Sequence, residues 1–497
     1  MTPPAARGTD IKGTQARRRV ATLGRAYLVG ALAALLFLLP PSGAEADTFE
    51  VTNTDDGDPA PANSLRAAVE NANLAGDAPH LIDATGVSGT INLVAALPTI
   101  SQDVTIRGSG ADRLTVRRNV AADFRIFTVG AVTAEISGMT IANGRVSGAF
   151  GGGIHSVGTL TIRDSTVRGN TAVDGACCGG ILNLGGALTV ENSTITGNEA
   201  STFHTGGIGN FTLNATLTVR NSTITGNTAG GSGAGSGGGG GILSSVGAPD
   251  VTIENSTIAA NEGAPGANFR AAVGTATLRS TILSDPRGEG ANCAIEGGAA
   301  FTSEGYNLAD DDSCALEAVA DQPATNPGLG PLASNGGPTE TMALQPGSPA
   351  IDKGTSDGLT TDQRGHPRPS LFFAIPSAQG GDGSDIGAFE RISKQFAFRK
   401  VKRDARNGGA RLVVRIAGPG RLALKKTGKL RRSIARADSA GRVRLQVRPR
   451  GRAKRTLAQA PELGRKVRVT ARARVTYRPD GGGPNTKKKK LRLIRKP

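Results

Sequence analysis

Gly180-Ile181, then Leu188-Thr189-Val190, then Asn192-Ser193-Thr194-Ile195-Thr196-Gly197-Asn198 form a phrase that the chain repeats from Gly151 to about Asp285. Its opening pair stands at Gly153-Ile154, Gly180-Ile181, Gly207-Ile208 and Gly241-Ile242, in steps of 27, 27 and 34 residues. Its closing run stands at Asp164 to Asn170, Asn192 to Asn198, Asn221 to Asn227 and Asn255 to Asn261, with an echo at Arg279-Ser280-Thr281-Ile282. A period of about 20–50 residues belongs to solenoids, in which a repeat buries its apolar face only against its neighbours.

Each repeat holds three short runs of alternating apolar and polar residues and no helical periodicity. Leu160-Thr161-Ile162-Arg163 is one such run, and the alternation of Ser193 and Ile195 with Thr194 and Thr196 is another. Three strands turned by Gly and Asn close one coil of a parallel β-helix. A leucine-rich repeat would need a helix or a second leucine row, and an antiparallel sandwich would not repeat at this period. Coils stacked ~4.8 Å apart bring equivalent residues together. Ile154, Ile181, Ile208 and Ile242 then form one interior row, and Ile162, Val190, Val219 and Ile253 another. Asn170, Asn198, Asn227 and Asn261 fall at one turn and form an amide ladder, with Asn210 outside it. On the outer face Arg163, Glu191, Arg220 and Glu254, followed by Arg279, alternate in sign and set register.

Residues 1 to 46 read as an export signal: Arg17, Arg18, Arg19 and Arg25, an apolar run from Ala26 to Leu39, and Ala44-Glu45-Ala46 as a cleavage site. The run is short for a spanning helix, so the membrane is a partner only if this segment stays uncleaved. Residues 47–79 read as a cap, with a strand at Thr48-Phe49-Glu50-Val51-Thr52 and an amphipathic helix from Ser64 to Ala72 that turns Leu65, Ala68, Val69 and Ala72 to one side. The pairing of Val51-Thr52-Asn53-Thr54-Asp55-Asp56-Gly57 with Asn63-Ser64-Leu65-Arg66-Ala67-Ala68 resembles the N-terminal segment of bacterial surface proteins called CSLREA. It departs from that pattern at Asn63, where the family has Cys, and at Ala67, where it has Glu.

Residues 80–290 carry the coils; the looser strand-like runs between 80 and 150 make two or three of them. Residues 291–391 carry Asn326-Pro327-Gly328-Leu329-Gly330-Pro331-Leu332, Asn335-Gly336-Gly337-Pro338-Thr339, Pro346-Gly347-Ser348-Pro349-Ala350-Ile351-Asp352, Thr361-Asp362-Gln363-Arg364-Gly365 and Asp385-Ile386-Gly387-Ala388-Phe389-Glu390. These motifs resemble the region called choice-of-anchor Q, found ahead of varied anchors in exported β-helix proteins. The resemblance implies a right-handed β-helix of the pectin-lyase-like kind at a cell surface, with no activity assigned. Cys293 and Cys314 in an exported chain pair most simply as a disulfide. The adjacent Cys177 and Cys178 allow a vicinal disulfide or two buried thiols.

The tail, residues 392–497, is a different material. From Ser393 onward it has 35 Lys and Arg against four Asp and Glu, a net of +31, whereas Asp47 to Arg391 has a net of −18. Strand alternation in Arg411 to Ile416, Val443 to Val447 and Val467 to Arg472 predicts a small basic all-β domain, with a disordered end at Lys487 to Lys490. Such a tail calls for anionic cell-envelope polymers or acidic polysaccharide as partners. Phe396, Phe398 and Tyr477 make no regular stacking platform, so no sequence-specific nucleic acid binding is expected.

Polysaccharide cleavage needs paired carboxylates ~5–9.5 Å apart. Glu191 and Glu254 have Arg220 between them, which would hold both as anions and suits a ladder better than a general acid. Asp310, Asp311 and Asp312 read as a solvated loop. His80, His155, His204 and His366 have no metal-ligand spacing, and the Asn-Ser-Thr triplets at Asn192, Asn221 and Asn255 read as turns. No catalytic residue, cofactor or metal is expected. The chain reads as an exported β-helix for binding, adhesion or spacing, the alternative being a polysaccharide lyase or glycoside hydrolase of the pectin-lyase-like fold.

Overall fold

The computed structural model of the protein describes residues 46–497 except 77–78, 202–203, 231–237 and 248. The expected export signal lies outside the described residues but for Ala46. Among the described residues the chain is all-β with two helices, Leu65–Leu74 and Gly451–Ala458.

The first part is a parallel β-solenoid of about eight turns. Equivalent residues pair directly: Ile154 with Ile181, Ile181 with Ile208, and Ile208 with Ile242. Phe127 extends this row at one end and Phe269 at the other. Ile162, Val190, Val219 and Ile253 stack likewise. All eight repeat residues are fully buried, and each such burial is worth ~1.5–3 kcal/mol, so these rows are the main support of the fold.

A coil contains one strand more than the three legible in the sequence. After the Asn turn comes a run of two or three residues, Thr171–Val173, Glu199–Ala200 or Thr228–Ala229, and these pair with one another as a separate sheet. Runs so short carry no periodicity to read. Further on, the strand Gly266–Arg279 fuses what are two strands in earlier coils, pairing with Ile242–Ser245 through Phe269 and with Asp250–Glu254 through Thr275 to Arg279. The solenoid continues past residue 290 through Ala291–Ser303 and Leu308–Ala309.

Two turns of the coil explain the repeated letters. Asp164, Asn192, Asn221 and Asn255 hold φ of 49°, 51°, 52° and 47°, a left-handed conformation that Asn and Asp tolerate better than most residues. Gly169, Gly197 and Gly226 do the same before the ladder asparagines, with φ of 61°, 62° and 65°. In the next coil Ala260 takes this place at φ 57°.

The helix Leu65–Leu74 starts at Ser64, whose hydroxyl accepts from the Ala67 amide, and it buries Leu65, Ala68, Val69 and Ala72 against the first coils. The strand Thr48–Glu50 adds to the sheet beside His80–Ala84. Residues 339–391 return along the outside of the solenoid. There Thr194, Thr223 and Thr257, outward-facing in their strands, are buried under the returning chain. Cys293 is bonded to Cys314, and Cys177 to Cys178.

The tail is an antiparallel sandwich. One sheet holds Phe396–Asp404, Gly409–Ile416 and Gly441–Val447. The other holds Ser433–Ala437, Gly420–Leu424, Val467–Pro479 and Asn485–Arg495. Leu412, Val414 and Leu445 from the first meet Ala473, Val475, Leu491 and Leu493 from the second in one core. The expectation of a disordered end is corrected here. Lys487 to Lys490 lie in a strand paired with Arg472 to Val475, because the buried Leu491 and Leu493 fix the strand beyond them.

Candidate anion-binding faces

The carboxylates of the solenoid are occupied by structure. Arg163 pairs with Glu191 and also lies 3.7 Å from Glu135, while Arg220 lies 3.3 Å from Glu254. Strand register places Glu191 opposite Arg220 and Glu254 opposite Arg279, so signs alternate from Arg163 to Arg279. Arg279 also reaches Asp357 of the returning segment at 2.7 Å.

The interior ladder is longer than its four repeat members. The side-chain amide of Asn170 donates to the Asn198 carbonyl oxygen at 2.9 Å, Asn198 to Asn227 at 2.9 Å, and Asn227 to Asn261 at 2.9 Å. Asn261 then donates to Asn268, Asn268 to Asn292, and Asn292 to Asp310. The glycines of the Gly-Ile pairs lie against it: a Cβ on Gly153 would sit 2.9 Å from the Asn170 amide nitrogen. Beside it runs a hydroxyl ladder, in which the backbone amides of Ser165, Ser193 and Ser222 donate to the hydroxyls of Ser193, Ser222 and Ser256. Asn210 is buried and accepts from the Asn183 amide at 2.7 Å, so it belongs to a short ladder of its own.

Asp310 and Asp311 are likewise engaged. Asp310 accepts from Asn292 and from the Asp285 backbone, and Asp311 from Ser313 and the Asn292 backbone. Burial would lift the Asp311 carboxyl, but these hydrogen bonds outweigh it and hold it below the usual carboxylate range. Asp285 and Asp310 line an open groove of about 470 Å³, whose floor steps through Thr196, Thr225 and Ser284 and whose wall is Asn326 to Leu332.

Within the returning segment lies a buried knot of acids and bases. Asp352, Asp385 and Glu390 are fully buried, with Arg368 at 3.4 Å from Glu390. Burial first, opposed by a hydrogen bond from Phe372, pushes Asp352 up to about 7, and burial also raises Asp385 to about 7. Asp362 ties Arg364, which stacks 3.6 Å over Phe389. Gln363 donates to Thr194 and accepts from Thr223, and Arg368 donates to Asn255. Asn221 and Asn255 are thereby buried, so these triplets act as turns under the returning segment.

The four histidines lie apart. His80 touches Gly76, His155 touches Arg125, His204 lies edge-on to Phe211, and His366 packs at the tail turn beside Gly481.

The tail differs from all of this. On the outer face of its first sheet Lys402 lies opposite Arg411, and Arg415 opposite Arg442. On the second, Arg472 lies opposite Lys490, Arg474 opposite Lys488, and Arg421 opposite both Arg436 and Arg478. Like charges directly opposite one another destabilise a sheet, so these pairs work against the fold. Among the described residues the carboxylates within ion-pairing distance of a tail cation are Asp438 and Asp480, both at Arg436. The other tail cations have none. Arg399, Lys400, Lys402, Arg442 and Arg444 line an open concavity of about 390 Å³.

No family model and no curated protein matches the chain. The residues themselves are therefore what speaks for function. Reading along the sequence exposed the excess of bases but not which of them face each other, since cross-strand register depends on the turns. The alternation of Arg472 and Arg474 with Ala471 and Ala473 was the available signal for an outward basic row.

Proposed function

We propose that this chain is an exported, surface-associated β-helix protein that acts as a non-catalytic binding, adhesion or spacer module and is held to the cell envelope by its basic sandwich. The observation that carries this reading is the set of like-charged pairs on both outer faces of the tail, which among the described residues have a carboxylate within ion-pairing distance only at Arg436. Such pairs cost stability unless an anionic partner lies over them, and each base near an anionic surface is worth ~1 kcal/mol. Two disulfides suit an oxidising, extracellular compartment. Among the described residues no helix is long and apolar enough to cross a membrane. The resemblance to CSLREA and choice-of-anchor Q proteins points the same way. Residues of the latter motifs, Asp352, Asp362, Gln363, Arg364, Asp385 and Glu390, then serve to clamp the returning segment on the coils.

Purified mature protein should bind isolated bacterial cell walls at low salt and elute as salt is raised. Retention unchanged in 1 M salt, where the Debye length falls to about 3 Å, would refute charge-driven attachment.

A second reading, cleavage of a polysaccharide, has one observation in its favour. The groove that holds Asp285, Asp310 and Arg287 runs across successive coils and is open to an extended chain. Incubation with acidic polysaccharides, followed for unsaturated products and new reducing ends, tests it. Product formation lost in Asp285→Asn would establish this reading over the first.

A further inference from the structure

We infer that the tail is a two-faced cross-linker, each outer face of the sandwich taking its own strand of a linear phosphodiester polymer. This rests on the reading of the tail as the attachment module and goes beyond it, because attachment needs one face and the fold supplies two. The two faces are back to back. Arg472 and Arg474 alternate with the buried Ala471 and Ala473, and Arg411 alternates with the buried Ala410 and Leu412. Both sets of buried residues belong to the same core, so the cations on either side point in opposite directions. Sheets packed in this way lie ~10 Å apart before side chains are counted, so a chain lying along one face does not touch the other.

Spacing selects the ligand. Each opposed pair, such as Arg472 with Lys490, sets two cations across neighbouring strands ~4.8 Å apart, and the next pair, Arg474 with Lys488, follows two residues or ~6.8 Å along. Two donors at each step suit a group with two anionic oxygens, which a phosphodiester and a carboxylate both have. The step along the strand therefore decides between them, and its length suits charges separated by several backbone bonds. A phosphodiester-linked polyol has both properties. A polyuronate instead carries its charge on every ring. The first face is spaced more widely: Lys402 opposes Arg411 and Arg415 opposes Arg442, and in the row between them Val413 lies between Lys400 and Arg444. Arg415 is braced 4.4 Å over the Phe373 ring.

The test uses the full mature chain with synthetic poly(glycerol phosphate), with polygalacturonate and a single-stranded homopolymer oligonucleotide as comparators. Light scattering should rise to a maximum near charge equivalence and fall again in excess polymer. Two variant sets each disable one face: Lys402→Glu with Arg411→Glu and Arg444→Glu, and Arg472→Glu with Arg474→Glu and Lys488→Glu. Gln versions of both sets control for charge reversal, and circular dichroism checks the fold. Each single-face variant should still bind a short polymer while the scattering maximum disappears. Its slope of log affinity against log salt should fall by about 1.4, as expected for the two phosphate steps that each set removes. Combining both sets should abolish binding.

Binding by the wild type without a scattering maximum overturns cross-linking and leaves attachment standing. No binding by the wild type at physiological salt overturns attachment itself. Abolition of binding by either set alone shows a single composite site and overturns the two-face inference. Tighter binding of polygalacturonate or of the oligonucleotide than of poly(glycerol phosphate) overturns the choice of polymer.

Discussion

The outer row of the solenoid and the outer faces of the tail share one lattice, strands about 4.8 Å apart with side chains in register. On the solenoid, Arg163, Glu191, Arg220, Glu254 and Arg279 alternate, so each coil supplies the counterion of the next. On the tail, Arg421, Arg436 and Arg478 share a row, as do Arg472 and Lys490. The same backbone can therefore be charge-neutralised from within or left waiting for charge from outside. The first arrangement serves the fold, and the second is the one that the proposed attachment would use.

The largest effect expected on the self-contained half is at the amide ladder. Asn198→Leu keeps the branched shape at somewhat greater bulk but leaves the Asn170 backbone amide and the Val167 carbonyl without their partner. Each buried group stranded in this way costs about 1–3 kcal/mol. Chemical denaturation should show the loss. An unchanged midpoint would mean that the interior files are not what holds the coils. Asn210→Leu is no neutral control, since Asn210 accepts from Asn183.

Next comes the pH response, which should belong to the solenoid and its covering segment rather than to the tail. Asp352 and Asp385 titrate near 7 when folded and near 3.9 when unfolded. The folded state therefore holds protons that the unfolded chain has released. Their contribution is complete below about pH 4 and is lost as pH rises through about 7. Thermal melting of the wild type should fall between pH 5 and 8, and Asp352→Asn should flatten that decline. A melting temperature that climbs over this range would contradict the assignment.

A charge-reversal pair then sets the two regions directly against each other. Arg220→Glu places three acids in file and should destabilise the chain by about 0.5–1 kcal/mol, whereas Arg472→Glu gives Lys490 an opposite partner and should stabilise by about as much. Both shifts should shrink in high salt. The same sign for both would erase the difference between the two regions. The smallest effect tests regularity without charge. Ala260→Gly relieves a left-handed alanine and should gain up to about 1 kcal/mol, net of the entropy cost of glycine.

How much of this could be read in advance depended on repetition. Ile154, Asn170 and Glu191 each recur at a fixed phase, so their stacking followed from a period alone. Asn268 and Asn292 extend the same ladder but arrive inside long strands rather than after a Gly turn, and the phase is lost. Gln363 contacts Thr194 and Thr223 across 169 and 140 residues, with no local pattern to announce the meeting. The hydroxyl ladder was hidden because Ser193 and Ser222 looked like ordinary turn residues. Lys487 to Lys490 misled in the other direction: a run of like charge resembles a solvated end, but the leucines beyond it pin the strand. For the basic faces, composition revealed the surplus and only the register revealed its arrangement.

The returning segment has a consequence for how a newly made molecule is completed. A chain emerging N-terminus first can stack its coils as they appear, since each needs only the one before it. The threonine row of Thr194, Thr223 and Thr257, however, stays uncovered until residues 339–391 arrive, long after the coils beneath are in place. Gln363 clasps the first two threonines and Ala388, later in the chain, closes on the third. A chain cut short before Gln363 would have stacked coils but an open seam, so an intact seam distinguishes a finished molecule from a partial one.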